Sequence, residues 1–363
     1  CIEYAIENDV DCFVFAGDAY KNNCPSPTHQ RVLLKLFTPL IDAKIPIIIV
    51  IGNHDSPGNF SKANALDVFN HLNCDGCYLF SRPGKIEIQT KGGPIQFVCI
   101  PWPSRSKFQN QNNFTTSNDV SKNISLFLKD IISRYAISLK KHIPAVLVSH
   151  MAVSSGIFSG SERAVVIGRD PVLSVSDVAI EPFDYVALGH LHRYQNLNLK
   201  GDIPVVYSGS PDRIDFGEVS DLKGFCDVKI FDKKDVNCNF VKTPTRPFID
   251  LYFESFDENK ILCDFERILG ESNVAGAIVR IKYSLPVDAV KVPPISIFHD
   301  LLKDAFYIAD IKCLNARRAI RDGVMKINRD QSIESMILEY CNQKPEHEKY
   351  INDYISLIQE YSI

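Results

Sequence analysis

Two histidines, His190 and His192, directly follow an apolar run at 186–188 and the glycine at 189. In an extended segment alternate residues point to the same side, so this spacing predicts two imidazoles directed at one point. Neutral imidazole is a common metal ligand, which makes the pair a candidate for metal binding. A single His-x-His pair is weak evidence, so the prediction depends on what accompanies it.

Three further strand-like apolar runs also end in residues that can bind metals. These residues are Asp18, the tripeptide Asn53, His54 and Asp55, and His150. Each has an ordinary alternative. Asp18 fits a helix cap or a turn, the tripeptide fits a polar loop before a turn at 56–58, and His150 fits a buried core histidine. Four such strand ends in one chain favour a shared metal centre.

The mixture of imidazole, amide and carboxylate ligands suits Mn²⁺, Fe²⁺ or Zn²⁺ better than Mg²⁺ or Ca²⁺. Two such ions about 3.5–4 Å apart clamp a phosphodiester and supply a hydroxide near neutral pH. Adjacent residues at a strand end diverge, so His54 is predicted to face the substrate while Asn53 binds an ion. Asp55 is predicted to hold the other ring nitrogen of His54. The chain has no Gly-x-Ser-x-Gly elbow and no Walker-type lysine loop, which argues against acyl transfer and nucleoside-triphosphate binding.

The elements that must position these residues alternate between apolar strands and amphipathic helices. Strands are predicted at 11–16, 45–51, 77–80, 86–89, 95–100, 145–149, 185–188 and 204–208, and helices at 27–43, 62–72 and 121–141. The first of these helices is predicted to bury Val32, Leu33, Leu36, Phe37 and Leu40 on one face. This order predicts an α/β fold with a largely parallel sheet, in which ligands gather at the carboxyl ends of the strands.

The pattern changes after about residue 245. Strands predicted at 248–253, 276–283 and 307–314 alternate with helices at 256–269 and 296–305, followed by amphipathic helices at 331–342 and 345–361. We therefore predict three parts: a metal-binding domain over 1–245, a smaller α+β domain over 246–325, and a helical segment over 326–363. The apolar stripe of the last helix fits either a core or a partner-docking face.

Composition limits the functional classes. The 363 residues carry a net charge of −4, so the chain lacks the basic signature of many nucleic-acid-binding proteins and would need a local patch, a metal or a partner. Eleven scattered cysteines predict reduced thiols in a cytoplasmic protein. No apolar run is long enough to cross a membrane. The sequence opens at Cys1 inside a helix-like stretch, which predicts an N-terminally truncated chain.

Together these motifs resemble the calcineurin-like metallophosphoesterases, a layered α/β/β/α sandwich fold. Within them the chain is similar to the SbcD-type nuclease subunits, because the segment 206–218, Val-Tyr-Ser-Gly-Ser-Pro-Asp-Arg-Ile-Asp-Phe-Gly-Glu, matches the stretch after that family's last metal motif. The stretches 158–163 and 168–171 also resemble that family. The likeness is specific over 11–220 and weaker over 246–363.

The resemblance implies a role for each motif residue. Asp18 would bridge two Mn²⁺ ions, His192 would bind the first ion, and Asn53, His150 and His190 would bind the second. It further implies that His54 is the catalytic histidine, oriented by Asp55. The implied activities are 3′→5′ exonuclease and single-strand endonuclease on DNA. The second domain would be a capping domain, the terminal helices would dock an SbcC-type SMC ATPase, and the chain would form a homodimer.

One departure from the family concerns its first motif, Asp-x-His, which should precede Asp18 by a few tens of residues and is absent from this sequence. The resemblance therefore predicts that this chain binds one ion normally and the other poorly, with impaired activity. Arg163, Arg193 and Arg213 are candidate contacts to phosphates, although Arg213 can equally pair with Asp215. Two alternatives to a DNA nuclease are a phosphodiesterase acting on a small phosphoester or nucleotide, and a catalytically impaired scaffold.

Overall fold

The computed structural model describes residues 1–56, 63–71, 75–105, 108, 117–159, 170–257, 260–285, 293–314 and 351. The chain divides into two compact units, Cys1–Arg246 and Pro247–Ile363. Apart from Ile351, the segment predicted at 326–363 lies outside the described residues. Its helices and its boundaries stay predictions.

In the first unit short helices and strands alternate, as the apolar patterning predicts. The described helices are α1 (Ile2–Glu7), α2 (Pro27–Asp42), α3 (Val68–His71), α4 (Ser117–Ile137) and α5 (Val175–Val178). The strands are β1 (Phe13–Phe15), β2 (Ile47–Val50), β3 (Cys77–Phe80), β4 (Gly84–Thr90), β5 (Gly93–Ile100), β6 (Ala145–His150), β7 (Ala152–Val153), β8 (Val172–Leu173), β9 (Tyr185–Gly189), β10 (Gln195–Asn196), β11 (Val205–Tyr207), β12 (Gly224–Asp232) and β13 (Asp235–Lys242).

Two sheets organise this unit. The first has the order β1-β2-β3 and is wholly parallel. The second has the order β10-β11-β9-β6-β5-β4, with parallel central strands and antiparallel strands at both edges. β12 and β13 form a separate antiparallel hairpin. The largely parallel α/β core is therefore confirmed.

Alternating side chains of β2 explain why the two sheets stack. Ile47 and Ile49 join the cluster that contains Leu33, Phe37 and Leu40 of α2. Ile48 and Val50 point to the opposite side and join a cluster with residues of the second sheet, namely Phe97, Cys99, Val146 and Val148. The other face of the second sheet packs against α4 through residues such as Ile124 and Leu128. Since successive strand residues face opposite sides, these contacts build the predicted α/β/β/α layers.

Four details differ from the sequence predictions. Val32 and Leu36 are about half exposed, at 49% and 50%, because the buried stripe of α2 consists of Leu33, Phe37 and Leu40. The helix predicted at 62–72 is limited to α3 within the described residues, and α4 ends at Ile137 rather than 141. The hairpin of β12 and β13 had no counterpart among the predicted elements.

The second unit was predicted as an α+β domain, but its strands are parallel and joined through helices, so it is a small α/β layer. Its strands β14 (Phe248–Glu254), β15 (Ile278–Ser284) and β16 (Tyr307–Cys313) form a parallel sheet, and its described helices are α6 (Ile261–Gly270) and α7 (Ile295–Leu301). Phe265 and Phe298, each 0% exposed, pack with Phe253 and Tyr283 in one core. The β-α-β-α-β order predicted from the sequence is confirmed, with shorter helices than expected.

Among the described residues Cys99 is buried, and Cys12, Cys226 and Cys238 are partly buried; the prediction of reduced thiols stays a prediction. None of the helices in the described part of the chain has the length and apolar character needed to span a membrane.

Candidate metal centre

Four of the predicted ligands lie at the carboxyl ends of strands from both sheets. Asp18 and Asn53 follow β1 and β2 of the first sheet, His150 ends β6, and His190 follows β9 of the second sheet. In a stacked parallel architecture these ends meet at one edge, which is where α/β proteins collect their ligands. The structure thus brings together residues that are far apart in sequence, such as Asn53 and His190, which are 137 positions apart.

The distances between these side chains are short. His150 Nε2 lies 2.8 Å from Asn53 Oδ1 and 3.2 Å from Asp18 Oδ2. His190 Nδ1 lies 3.0 Å from the same Asn53 oxygen. Asp18, His150 and His190 each offer a ligand atom within 4.8 Å of the other two. Within the described part of the chain, this is the one cluster of at least three His, Cys, Asp or Glu residues close enough to hold a metal ion.

The chemistry of this group fits a divalent cation. His150 Nδ1 lies 2.7 Å from the carbonyl oxygen of Ala16, which can only accept a hydrogen bond, so Nδ1 carries the hydrogen. The Nε2 of a neutral His150 then faces two oxygen acceptors, Asp18 Oδ2 and Asn53 Oδ1, with no hydrogen between them. Acceptors that converge in this way need a positive charge among them, which a proton on His150 Nε2 supplies in the metal-free protein and which an ion held by two imidazoles, an amide and a carboxylate would supply in its place.

The protonation behaviour of the same residues follows from their contacts. Burial alone would raise the pKa of Asp18, but the charge and hydrogen bond of His150 and the backbone N–H of His54 lower it to about 2. Burial alone would lower the pKa of His150, but the Asp18 carboxylate outweighs it and raises that pKa. Burial lowers the pKa of His190. A charged Asp18 and a neutral His190 are the forms that bind a metal.

The backbone at the ligands is constrained. Asp18 has a φ of 59° and His190 a φ of 101°, in the left-handed region that residues other than glycine seldom adopt. Two glycines permit the close approach of the strand ends, because a Cβ on Gly52 would overlap the Asp18 carboxylate and one on Gly189 would overlap the carbonyl oxygen of Ala16. Such backbone conformations cluster at functional sites, where surrounding structure holds them in place.

Asp55 has a different role from the one predicted. Instead of orienting the ring of His54, its carboxylate accepts hydrogen bonds from the backbone N–H groups of Asp18 at 2.8 Å, Tyr20 at 3.2 Å and Gly52 at 3.0 Å. Asp55 is 2% exposed, so its oxygens stay with these donors because no water competes for them. The sequence prediction was wrong because the unpaired N–H groups of two loops meet at this carboxylate.

His54 is exposed at the edge of the centre. Its backbone N–H donates to Asp18 Oδ1 at 2.8 Å, which fixes the residue next to the ligand group. His54 stands beside Asn53 and is not part of the group of Asp18, His150 and His190, and its place at the substrate stays a prediction.

His192 does not join the group of Asp18, His150 and His190. The prediction of two parallel imidazoles assumed an extended backbone, but β9 ends at Gly189 and the φ of His190 is positive, so the alternation stops before His192. His192 Nδ1 instead lies 2.7 Å from Glu218 Oε1. Burial would raise the pKa of Glu218, but hydrogen bonds from His192 and Lys223 lower it to about 2.

The three predicted arginine contacts have different outcomes. Arg213 binds within the protein, donating to Thr245 Oγ1 at 2.6 Å, to the carbonyl of Asp221 at 3.1 Å and to that of Arg246 at 3.3 Å. Arg193 is exposed, with its Nε 3.8 Å from an Asp221 oxygen. Arg163 lies outside the described residues.

Sequence reasoning missed two carboxylates that contact the histidines. Asp170 Oδ2 lies 3.6 Å from His190 Nε2, and Glu218 contacts His192. Asp170 belongs to the stretch 168–171 and Glu218 to the stretch 206–218, so the signal in the sequence was the family resemblance of those two stretches. Trp102 packs against His190 with ring centroids 5.1 Å apart, consistent with an aromatic side chain that serves packing.

Comparison with known proteins agrees with this geometry. Residues 1–194, more than half of the chain, match the calcineurin-like phosphoesterase family. The chain belongs to the calcineurin-like phosphoesterases. It is also similar to the SbcD subunit of the nuclease SbcCD of Staphylococcus epidermidis, with 28% identity over 267 residues, which is 72% of this chain and 66% of that relative, slightly less than two thirds of its length. The expected resemblance and the fold class of a layered phosphoesterase are therefore confirmed.

Proposed function

We propose that this phosphoesterase is a metal-dependent DNA nuclease subunit that hydrolyses phosphodiester bonds. The observation that supports it best is the convergence of Asp18, Asn53, His150 and His190, whose carboxylate, amide and imidazole atoms meet at the ends of four strands. That arrangement suits a divalent ion, and ions in such sites serve phosphoester hydrolysis.

In this proposal His192 would hold the first ion, Asn53, His150 and His190 would hold the second, and Asp18 would be a ligand to both. We propose Mn²⁺ for both, since a mixed nitrogen and oxygen shell suits it. When bound there, divalent ions would supply the positive charge that polarises a phosphoryl group and activates water near neutral pH. Asp18 keeps its carboxylate charged, and the protein encloses His150, which is 0% exposed, so bulk water does not compete for its ring.

His54 is proposed as the catalytic histidine. Its backbone bond to Asp18 fixes it beside the ligands, while its exposed ring remains accessible to substrate. An imidazole so placed can protonate or stabilise the leaving oxygen of a phosphodiester. Asp55 supports this by holding the loop, and Arg193 is a proposed contact to a substrate phosphate, since its side chain is 48% exposed.

The similarity to a protein named as the SbcD subunit of a nuclease, SbcCD, supports DNA as the substrate and an SbcC-type ATPase as the partner. We accordingly propose 3′→5′ exonuclease and single-strand endonuclease activities, a capping role for 246–325, an ATPase-docking role for 326–363, a homodimer, and a place in cytoplasmic DNA repair and recombination. The match covers 66% of that relative, so each of these assignments is a separate proposal that needs its own test.

Only Asp18 and His192 are assigned to the first ion. We therefore expect the 363-residue chain to bind one Mn²⁺ tightly and a second weakly, with slow turnover. A Mn²⁺ titration that shows two equally tight ions would contradict this assignment.

The decisive experiment compares substrates under single-turnover conditions with protein in excess, which measures slow rates. Linear duplex DNA and single-stranded DNA are incubated with Mn²⁺, alongside a small phosphodiester such as bis(p-nitrophenyl) phosphate. Asp18→Asn serves as the inactive control because it removes the bridging carboxylate. DNA cleavage that depends on Mn²⁺ and on Asp18 supports the nuclease proposal.

The net charge of −4 favours a second candidate, a phosphodiesterase acting on a small phosphoester or nucleotide. Hydrolysis of the small diester without DNA cleavage would replace the nuclease proposal with this one. If Asp18→Asn kept both activities unchanged, neither reaction would take place at this site. That result, or the absence of both activities in the unchanged protein, would favour a catalytically impaired scaffold.

A further inference from the structure

His192 is held by a carboxylate that is entirely buried. Its Nδ1 lies 2.7 Å from Glu218 Oε1, and the Glu218 side chain is 0% exposed. The other oxygen of Glu218 accepts the backbone N–H of Ile214 at 3.0 Å. A charged carboxylate is costly to bury unless it is paired and hydrogen-bonded, so this residue needs a compensating cation.

Lys223 supplies that cation. Its Nζ lies 2.8 Å from Glu218 Oε2, and its side chain is also 0% exposed. The same ammonium donates to the backbone carbonyl of His192 at 2.9 Å and to Ser210 Oγ at 2.9 Å. Lys223 therefore contacts the carboxylate that holds the His192 ring and also the His192 backbone.

The loop between them packs closely on His192. The N–H of Ser210 donates to the carbonyl oxygen of His192 at 3.0 Å. Gly209 has a φ of +76°, and a Cβ there would lie 2.8 Å from that same oxygen. Arg213 ties the loop to residues 221, 245 and 246. Several residues of the stretch 206–223 thus contribute to fixing one histidine.

A carboxylate paired with an ammonium is a hydrogen-bond acceptor only. The hydrogen of the contact with His192 therefore belongs to Nδ1, and the neutral ring carries its lone pair on Nε2. Metal-binding histidines generally have one ring nitrogen fixed in this way by a carboxylate or a carbonyl. His150, whose Nδ1 donates to Ala16, follows the same rule.

We propose that Glu218 is a positioning residue for His192, with Lys223 as its charge partner, and that the pair fixes the Nδ1–H tautomer, the form of the ring that can bind an ion through Nε2. This inference depends on the proposed function in one respect, namely that His192 is a metal ligand. It assigns the last residue of the segment 206–218 to ligand orientation.

The test uses two matched double variants in the full chain. Glu218→Gln with Lys223→Met keeps a neutral acceptor for Nδ1, whereas Glu218→Met with Lys223→Met removes it. Both variants eliminate the buried charge pair, the lysine contacts to the backbone and the carboxylate oxygen that accepts from Ile214, so their main difference is the amide oxygen that can accept from His192 Nδ1. Equal unfolding temperatures for the two variants would show that a difference in tautomer or Mn²⁺ affinity does not result from a difference in folding stability.

The first readout is the tautomer of His192 in metal-free, ¹⁵N-histidine-labelled protein at about pH 8, where an ordinary imidazole is neutral. His192→Gln identifies its signals. We expect Nδ1–H in the unchanged protein and in the Gln/Met variant, and a mixture or Nε2–H in the Met/Met variant. The second readout is the weaker Mn²⁺-binding step, expected to lose about 10–100-fold in affinity in Met/Met relative to Gln/Met.

The proposal is overturned by an Nε2–H tautomer in the unchanged protein, a measurement that needs no variant and so stands even if Met/Met fails to fold. It is equally overturned if Met/Met keeps Nδ1–H and the affinity of Gln/Met. Absence of DNA cleavage with the tautomer result as expected would count against the nuclease proposal alone.

Discussion

Asp18 has a separate task for each part of its carboxylate. Oδ1 accepts the backbone N–H of His54 at 2.8 Å, while Oδ2 lies 3.2 Å from His150 Nε2. The same side chain therefore holds the loop after β2 and faces the ligand group. Substitution of this one residue removes a metal ligand and loosens the proposed catalytic histidine together, because both depend on the same carboxyl group.

At this scale we predict that His54→Ala lowers the single-turnover rate of Mn²⁺-dependent hydrolysis by at least about 100-fold, the usual contribution of a general acid or base. Tight Mn²⁺ binding is expected to stay within about 3-fold of the original, because the ring lies outside the ligand group. The measurements are the hydrolysis rate and a Mn²⁺ titration.

His29→Ala is the matched control, since His29 is an exposed histidine near the start of α2. It should change neither quantity. If His54→Ala weakened tight Mn²⁺ binding as much as the rate, His54 would be a ligand rather than a catalytic group.

Single residues show what the sequence could and could not predict. Asp18, Asn53, His150 and His190 were found because each follows its own apolar strand, which is a local signal. The partners of His192 and His190 were missed, because Glu218 and Asp170 lie 26 and 20 positions away and meet the histidines only after the sheets have assembled. The predicted role of Asp55 was wrong for a similar reason, because the backbone N–H groups that it accepts come from two loops.

At the scale of elements, the centre depends on how closely the strand ends approach one another. Gly189 ends β9 beside Ala16, which follows β1 of the other sheet. The contact leaves no room for a side chain, so the fit of the two sheets and the position of His190 are coupled.

We therefore predict that Gly189→Ala destabilises the first unit by about 1–3 kcal/mol, the usual cost of overpacking, and weakens Mn²⁺ binding about 10-fold or more by displacing His190. Gly92→Ala is the control, because the nearest atom to its added Cβ would be Thr90 Oγ1 at 3.9 Å. Urea unfolding and a Mn²⁺ titration measure both effects. Equal behaviour of the two variants would show that the strand ends can separate freely.

A second prediction at this scale concerns the ion pairs across β14 and β15. Arg280 Nε donates to Asp250 Oδ1 at 2.9 Å, and this hydrogen bond is the main cause of the lowered pKa of Asp250. A carboxyl group with a lowered pKa stabilises the folded state above its unfolded value of about 3.9, and that stability is lost as pH falls through the folded pKa.

Asp250→Asn is accordingly expected to cost about 0.5–1 kcal/mol at pH 7 and nearly nothing near pH 2, a modest amount because the pair is partly exposed. Urea unfolding at both pH values measures it. Asp300→Asn, an exposed position on α7, is the control and should show no such pH dependence. A cost independent of pH would point to packing instead of charge.

The elements themselves were largely predictable from apolar periodicity, with two instructive failures. The alternation in β12 and β13, as in Val228, Ile230, Val236 and Cys238, was present in the sequence but weak, because many of the intervening residues are charged or polar. The face of α2 was predicted too wide, since Val32 and Leu36 flank the buried stripe and only packing against β2 shows which side is covered.

At the scale of the whole molecule, the described residues form two units with separate cores. Every residue assigned to the metal centre belongs to Cys1–Arg246, whereas the core around Phe265 and Phe298 belongs to Pro247–Ile363. A ligand that binds only the folded form of one unit stabilises that unit by mass action.

We predict that Mn²⁺ at about 100 times its dissociation constant stabilises the first unit by about 2.7 kcal/mol and leaves the second unit unchanged. Hydrogen exchange measured peptide by peptide separates the two units. Removing the ion with a chelator should reverse the effect, and Asp18→Asn should abolish it. Equal protection of both units by Mn²⁺ would show that they unfold together.

The hydrogen bonds of Asp55 determine whether the metal-binding loops become ordered during folding or during ion uptake. Its three backbone hydrogen bonds join the loops after β1 and β2 and involve no metal, so they form when the chain folds. The conformational entropy of those loops is therefore lost during folding and not during ion uptake. A preorganised site of this kind binds with little rearrangement, so we expect the rate of ion uptake to be governed by shedding of water from the ion.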